Sequence, residues 1–370
     1  MYKNIDDKKL RILQVYKDFH PNSGGGGVAR HIDGLSKSLC DSGHSVTVLA
    51  PNPESVSVPY KTVAFKFFGV PNLLRKHDVV HLHGARSILT AFLALLCVIS
   101  SRPYLYTPHC YYDALPWTFK WVAKYVWDKV IERFIVVRSS ATILLADPWR
   151  DYFRDRKIEL DKVHIIPNCV YRGDLEAREF ELINYADNQT KETINTSISL
   201  ITVGRLVEVK RVDDIIKAVS SLSRSDIKLH IVGTGNALKG LENLASSEGA
   251  VDVVYFHGYL SDSQVLELLS SCDAFVIASE MEGLPTVIIE MILLRIPVIC
   301  SEIPGNMAIC QKVGIQSTFK VGDTEALASE IERSKTLYIS DDQYLQCERH
   351  FTWEARSTDV QRLYYAATEY

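Results

Sequence analysis

Residues 11–32 read RILQVYKDFHPNSGGGGVARHI, and their reading decides the fold. A short apolar run, RILQV, leads through four consecutive glycines, Gly24 to Gly27, into a stretch with helical spacing. Strand, glycine turn and helix in that order predict the opening unit of a parallel α/β sheet. The glycines do not form a Walker loop, because no Lys-Ser/Thr pair follows them. Nor do they form a dinucleotide loop, because no acidic residue closes a second strand about twenty residues on. What remains is bare backbone able to approach a ligand closely, with N–H groups and a helix N-terminus turned toward an anion. A plain mobile turn is the competing reading, against which stands the entropy of ordering four glycines.

The same rhythm runs outward from this unit. SVTVLA (45–50), DVVHLHG (78–84) and PYLYT (103–107) are strand-like and alternate with amphipathic stretches. The pattern fades in the polar segment 171–197, which is expected to connect two domains, and restarts with ISLITVG (198–204), IKLHIVG (227–233), VDVVYFHG (251–258), AFVIAS (274–279) and IPVICS (296–301). Two tandem α/β domains are therefore expected, with boundaries at 1–175 and 176–350 and a closing helix over 351–370. DPWR (147–150) is read as a helix start with Asp147 capping. The stretch 117–137 is read as a core-facing crossover helix, although its aromatic residues with Lys120, Lys124, Lys129 and Arg133 leave a membrane-surface contact as the alternative.

Composition narrows the function. With 370 residues, 47% hydrophobic and 23% charged, the chain is an ordinary globular protein with room for two domains. A net charge of -4 and a pI near 6.3 give no basic footprint for nucleic acid. The eight cysteines lie singly, without a C-x-x-C pair, and read as buried thiols of a reducing compartment. Neither a signal peptide nor a membrane span is legible, so a cytoplasmic protein is expected, with the inner face of the membrane within its reach.

In open parallel sheets, ligands bind beyond the carboxyl ends of the strands. Gly24–Gly27, His81, His83, His109, Gly204, Arg205, Gly233, Gly235 and Glu282 all fall there, which places a ligand between the two expected domains. In GRLVEVKR (204–211), Arg205 and Lys210 put two cations beside a helix start, a setting for a diphosphate. In EMEGLPTVIIEM (280–291), Glu290 lies within an apolar helical turn. A carboxylate there needs hydrogen bonds, from sugar hydroxyls or from an ion pair with Lys210 or Arg205. A metal cluster of His81, His83 and His109 is disfavoured: the two strand imidazoles are expected on opposite faces, and no carboxylate or Cys accompanies them at metal-site spacing. A single functional imidazole, His109, is preferred.

Taken together, these residues resemble the family 4 glycosyltransferases, a retaining group with the GT-B fold of two Rossmann-like domains facing a central cleft. The similarity runs nearly end to end, through YTPHC, VHIIPNCV, ITVGRLVEVKRVDDIIKAV, LHIVGTGN, EGLPTVIIEM and the closing FTWEARSTDVQRLYYA. It implies that Arg205 and Lys210 bind a donor diphosphate, Glu290 the nucleotide ribose and Glu282 the donor-sugar hydroxyls. His109 would lie near sugar and acceptor, and Gly26 and Gly27 by the β-phosphate. Gly204, Gly233 and Gly235 would lie by the nucleotide, and the backbone of Gly283, Leu284, Pro285 and Thr286 by sugar and phosphate. Two positions depart from the family pattern: Lys210-Arg211 stands where Lys-Gly is usual, putting an extra charge at the phosphate end, and Asn168-Cys169 stands where Asn-Gly is usual.

The resemblance implies a transferase that moves a sugar from a UDP- or GDP-linked donor to a glycan or lipid-linked acceptor, in bacterial surface polysaccharide synthesis. No metal and no cofactor are expected, since fixed cations would neutralise the departing phosphate, and no nucleic acid is expected as partner. The alternatives are a non-catalytic nucleotide-sugar binding subunit, a sugar-nucleotide epimerase on the same fold, and a phosphorylase, which would need a much longer chain with a pyridoxal-bearing lysine.

Overall fold

A computed structural model of the chain describes residues 8–20, 26–53, 58–111, 118–158, 161–188 and 197–369. The chain divides into two compact units, Met1–Tyr171 with His350–Tyr370, and Arg172–Arg349.

The first unit is built on a parallel sheet of β1 (Arg11–Val15), β2 (Ser45–Ala50), β3 (Lys61–Ala64), β4 (Val79–His83), β5 (Tyr104–Thr107), β6 (Ala141–Leu144) and β7 (Val163–Ile165), in the order β3-β2-β1-β4-β5-β6-β7. Every residue of β4, β5 and β6 is buried, as a sheet covered on both faces requires. The order reverses between β1 and β4, which makes the carboxyl ends of these strands the switch point of the sheet. The helix Gly26–Asp41 descends from that point. The last helix, Trp353–Thr368, packs on it so closely that a Cβ at Gly34 would stand 2.8 Å from Trp353 Cδ1.

The second unit repeats the plan with β8 (Ile198–Val203), β9 (Ile227–Val232), β10 (Val254–Gly258), β11 (Ala274–Ile277), β12 (Val298–Ser301) and β13 (Thr318–Phe319), in the order β10-β9-β8-β11-β12-β13. Its switch point lies between β8 and β11, beneath the two loops singled out in the sequence. Helix Val212–Ser221 covers one face through Val212, Ile215, Ile216 and Val219.

Several sequence expectations are corrected. The polar segment expected to be a connector contains a helix, Arg172–Asn188, which belongs to the second unit. Periodicity misses it because it is held by ion pairs, Arg172–Glu179 at 3.0 Å and Arg178–Asp262 at 2.5 Å, and not by a broad apolar face. The expected core-facing helix over 117–137 is three pieces: Phe119–Trp127, a π-helical turn Asp128–Glu132, and Arg133–Arg138. Phe119–Trp127 buries none of its residues, whereas the π turn buries Asp128 and Glu132. Asp147 caps nothing; Pro148 stands at the N-cap of Trp149–Asp155, and Asp147 instead pairs with Arg150 at 3.3 Å. Of the eight cysteines, all free, Cys40, Cys110 and Cys272 are only half-buried. Among the described residues, no helix is long and apolar enough to cross a membrane.

Gly233 shows how tightly the second unit is closed at its switch point. It has φ +138°, and a Cβ there would stand 1.8 Å from the Gly204 carbonyl oxygen. Gly233→Ala is therefore expected to cost about 3 kcal/mol or more. Gly240→Ala, in a helix with open space around it, is expected to be neutral or stabilising by up to about 1 kcal/mol. Urea midpoints of the two variants check this; similar midpoints would contradict the close approach.

Candidate donor site and imidazole cluster

In the second unit, the loop after β8 and the loop after β11 meet. The backbone N–H of Glu280 donates to the Val209 carbonyl at 2.9 Å, and Lys210 Nζ donates to Glu282 Oε1, which also accepts from Ser279 Oγ at 2.8 Å. Glu282 is nearly buried, with its side chain 9% exposed against 26% for Lys210. The ammonium thus stands toward solvent on a carboxylate anchor. Arg205, on the same loop, is exposed. Gly204 and Leu206 are held by the β9 turn: Leu206 N–H donates to Thr234 O at 2.8 Å, and a Cβ at Gly235 would stand 2.0 Å from Leu206 O. Gly233 and Gly235 are thus required by backbone packing, whatever else they touch.

The Glu282 loop is supported from below. A Cβ at Gly305 would stand 2.5 Å from Glu282 O, and Ser301 Oγ donates to Ser279 O at 2.6 Å while accepting from Asn306 Nδ2 at 3.1 Å. Gly283 and Leu284 lead to Pro285 at the N-cap of helix Thr286–Leu293. No side chain caps that helix, so its first N–H groups face the loop. Glu290, on the same helix, pairs neither with Lys210 nor with Arg205. Arg178 Nη1 donates to Glu290 Oε2 at 2.9 Å, and Arg178 Nη2 to Asp262 Oδ2 at 2.5 Å. Sequence reading misses Arg178 because it lies in the segment taken as a connector; the only signal was an Arg within an acidic stretch. The extra charge expected of Arg211 at the phosphate end is absorbed locally. Its guanidinium donates to Asp214 at 2.9 and 2.7 Å, and its φ of +50° explains why glycine is at home there in the family pattern.

In the first unit, Gly26 opens helix Gly26–Asp41 with φ +70°, followed by Gly27; Gly24 and Gly25 lie outside the described residues. Four imidazoles gather at the carboxyl ends of β4 and β5. His81 and His83 do not lie on opposite faces: residues two apart on a strand share a face, and their ring centroids are 4.1 Å apart. His109 joins them from the loop after β5, with φ +68°, and His31 from helix Gly26–Asp41 packs its ring 4.7 Å from that of His109. Neighbouring carbonyls set the tautomers. His31 Nδ1–H donates to Asn168 Oδ1 at 2.7 Å, and His83 Nε2–H donates to Gln14 Oε1 at 2.6 Å. His83 Nδ1 is then a lone pair and accepts from His109 Nε2–H at 3.0 Å. His81 spends both nitrogens, on Tyr364 Oη and Thr107 Oγ1, each at 2.8 Å. Burial pushes His31 down to about 4 and drives the other three well below the usual imidazole range, so the cluster is neutral near pH 7.

The residues singled out in the sequence therefore divide between units, with Gly26, Gly27, His81, His83 and His109 in the first and Gly204, Arg205, Lys210, Gly233, Gly235, residues 282–286 and Glu290 in the second. The second unit's loops present two cations, a buried carboxylate and uncapped helix N–H groups at a switch point, the equipment of an anion-binding Rossmann-like domain. Comparison with known proteins agrees. Residues 25–172 match the family described as Glycosyltransferase Family 4, and residues 185–346 the family described as Glycosyl transferases group 1. The chain belongs to the group 1, family 4 glycosyltransferases.

It is similar to the GPI3 subunit of phosphatidylinositol N-acetylglucosaminyltransferase from Saccharomyces cerevisiae, 22% identical over 80% of this chain and 69% of that protein. It is also similar to alpha-D-kanosaminyltransferase from Streptomyces kanamyceticus, 29% identical over 48% of this chain and 46% of that one. A third relative is the putative teichuronic acid biosynthesis glycosyltransferase TuaC of Bacillus subtilis, 33% identical over 40% of this chain and 37% of its own length. The matches thus span less than half of the last two relatives. Among solved structures, sucrose-phosphate synthase from Thermosynechococcus elongatus aligns with a TM-score of 0.75 at 17% identity, over 96% of this chain and 98% of that one. Anabaena HepE in complex with UDP and glucose gives 0.75 at 16%, over 95% and 98%. The fold is the GT-B fold of two Rossmann-like domains.

Removing Arg178 would leave Glu290, a nearly buried carboxylate, without its guanidinium. Arg178→Ala is expected to destabilise the second unit by about 1–3 kcal/mol. Asp262→Asn, at an exposed pair, should change stability by less than about 1 kcal/mol. Chemical denaturation compares the two; an unaltered Arg178→Ala variant would show that Glu290 does not depend on that ion pair.

Proposed function

We propose that the chain is a retaining transferase that moves a sugar from a UDP- or GDP-linked donor to a glycan or lipid-linked acceptor in surface polysaccharide synthesis. The observation that carries this reading is the Lys210–Glu282 pair between the loops after β8 and β11, with Arg205 exposed beside it. When the bond from the anomeric carbon to the diphosphate breaks, negative charge collects on the β-phosphate. Groups already fixed where that charge develops lower the barrier most. Lys210, held by Glu282 before any ligand arrives, is such a group; Arg205 and the N–H groups of Gly283, Leu284 and Thr286 add to it, so the phosphate requires no metal. Glu282, anchored by Ser279 and Lys210, orients donor-sugar hydroxyls and does not attack. The departing phosphate oxygen takes the acceptor proton as the acceptor oxygen bonds to the anomeric carbon from the same face, which retains configuration. Glu290 takes the ribose, sharing its carboxylate with Arg178. His109, Gly26 and Gly27 serve the sugar, the acceptor and the β-phosphate.

HepE, whose solved form holds UDP and glucose, supports a nucleotide-linked donor, and the relatives named for teichuronic acid and phosphatidylinositol glycans support the acceptor class. A specific observation favours an acceptor held at a membrane. Helix Phe119–Trp127 and the following turn expose Phe119, Val122, Tyr125, Val126 and Val130 among Lys120, Lys129 and Arg133, the pattern of a helix that lies on an anionic lipid surface.

Lys210→Ala is expected to lower turnover of a nucleotide-sugar by at least about 100-fold while leaving the protein folded. Unchanged turnover would remove the diphosphate assignment. A thermal-shift panel of UDP-, GDP- and ADP-linked sugars identifies the donor, since a bound donor raises the melting temperature by mass action; no shift with any of them would count against the site. In flotation assays, the protein is expected to bind vesicles containing anionic phospholipid, and Phe119→Ser with Val126→Ser to release it. Equal flotation of wild type and variant would exclude this helix as the contact.

A further inference from the structure

The imidazole cluster of the first unit does more than the transfer reaction asks of it. One nitrogen from each of His31, His83 and His109 lies within 4.8 Å of the other two. The three side chains are only 2%, 1% and 6% exposed. Two of their nitrogens, His31 Nε2 and His109 Nδ1, have no hydrogen-bond partner among the described residues. With His31 Nδ1–H given to Asn168 and His109 Nε2–H to His83, both orphans are lone pairs and not donors. Buried lone pairs without a donor are costly, and a Lewis acid satisfies them.

We propose that His31, His83 and His109 form a binding site for a borderline transition-metal ion of the zinc or cobalt type. Imidazole nitrogens select such ions over magnesium or calcium, which require oxygen ligands. The surroundings are those of metal-binding histidines, whose second N–H is given to a carbonyl that fixes tautomer and ring orientation. Asn168 Oδ1 does this for His31 and Gln14 Oε1 for His83, leaving His31 Nε2 and His83 Nδ1 as the lone pairs that face the ion. His109 keeps its proton on Nε2 and offers Nδ1, its partnerless lone pair, while its hydrogen bond to His83 Nδ1 gives way to the ion. Metal–nitrogen bonds of about 2.0 Å bring the ligand nitrogens to roughly 3.3 Å from one another, a contraction that side-chain rotation supplies. His109 already sits in the left-handed region, a conformation retained where a ligand site over-determines the backbone.

The trio is not the one that the sequence brings to mind. His81 is excluded because Tyr364 and Thr107 occupy both its nitrogens, and His31 takes its place from a helix fifty residues earlier. An ion here would tie helix Gly26–Asp41, β4 and the loop after β5 together. It is independent of the cations assigned to the diphosphate, all of which belong to the other unit.

The full chain, stripped with chelator and dialysed, is titrated with Co²⁺. The expected result is one equivalent bound with the intense visible absorption of a four-coordinate site, displaced by Zn²⁺. Both His31→Asn and His83→Gln are expected to weaken uptake by more than about 100-fold, and Asn168→Ala by about 10- to 100-fold. His230→Gln, which alters the separate His230–His257 pair of the second unit, is expected to leave uptake unchanged. No uptake by wild type, or equal uptake by folded His31→Asn, overturns the proposal. X-ray absorption of the cobalt-loaded wild type decides the matter even if the variants fail to fold: three imidazoles in the first shell support the site, and fewer than three refute it. None of these readouts involves a sugar donor, so their failure leaves the transferase reading standing; His109 is common to both readings, and a filled site reassigns it from the sugar to the ion.

Discussion

The second unit depends on an ion pair, Lys210 with Glu282, made where the sheet order reverses between β8 and β11. Neither loop alone would hold its charge in place. The lysine comes at the end of a short 3-10 turn and the glutamate from an irregular segment before a helix. Bringing them together removes the need to desolvate either alone, and it leaves the ammonium facing outward on a fixed base. In the proposed reaction, a cation placed in this way would not have to reorganise as charge develops on the departing diphosphate.

That placement rests on backbone contacts too close for any side chain. Gly233 and Gly235 lie against the Gly204 and Leu206 carbonyls, and Gly305 lies under the Glu282 carbonyl. The three glycines define the height of the two loops above the sheet. Gly233 and Gly235 are visible in the sequence as candidates for nucleotide contact, yet their first duty is steric. Gly305 carries no motif of its own. Its role emerges only when helix Pro304–Val313 is packed beneath the Glu282 loop.

In the first unit, polar residues are buried by threading hydrogen bonds across the carboxyl ends of the central strands β1, β4 and β5. The order runs from Gln14 to His83 to His109 on one branch and from Gln14 to Tyr364 to His81 to Thr107 on the other. Tyr364 lies on the final helix, so the end of the chain completes a network begun by its first strand. This closure gives the returning helix a polar function as well as the apolar one supplied by Trp353 and Val360. The π turn at Asp128–Glu132 is a second buried polar centre, where Asp128 meets Arg86 at 2.7 Å and Arg156 at 3.1 Å, and Glu132 accepts from Tyr106 and from Tyr111.

The alternation of strands with helices and the glycine-rich turns were legible in the residue order, because hydrophobic periodicity and glycine are local properties. So was the set Arg205, Lys210, Glu282 and Glu290, as a motif. Partners were not legible. That Lys210 meets Glu282, that Glu290 meets Arg178, and that His31 and not His81 completes the imidazole trio all depend on contacts 52 to 112 residues apart in the chain. The outward face of Phe119–Trp127 was misjudged for the same reason: an amphipathic pattern states that a helix has two sides, and only packing states which side is covered. Sequence by itself determined the strands and the helices with an apolar face, since these follow from local backbone and burial preference, but not the ion-paired helix Arg172–Asn188 or the π turn Asp128–Glu132. The tertiary structure alone decided which charges and imidazoles share an environment, since proximity across a fold has no signature in the order of the residues.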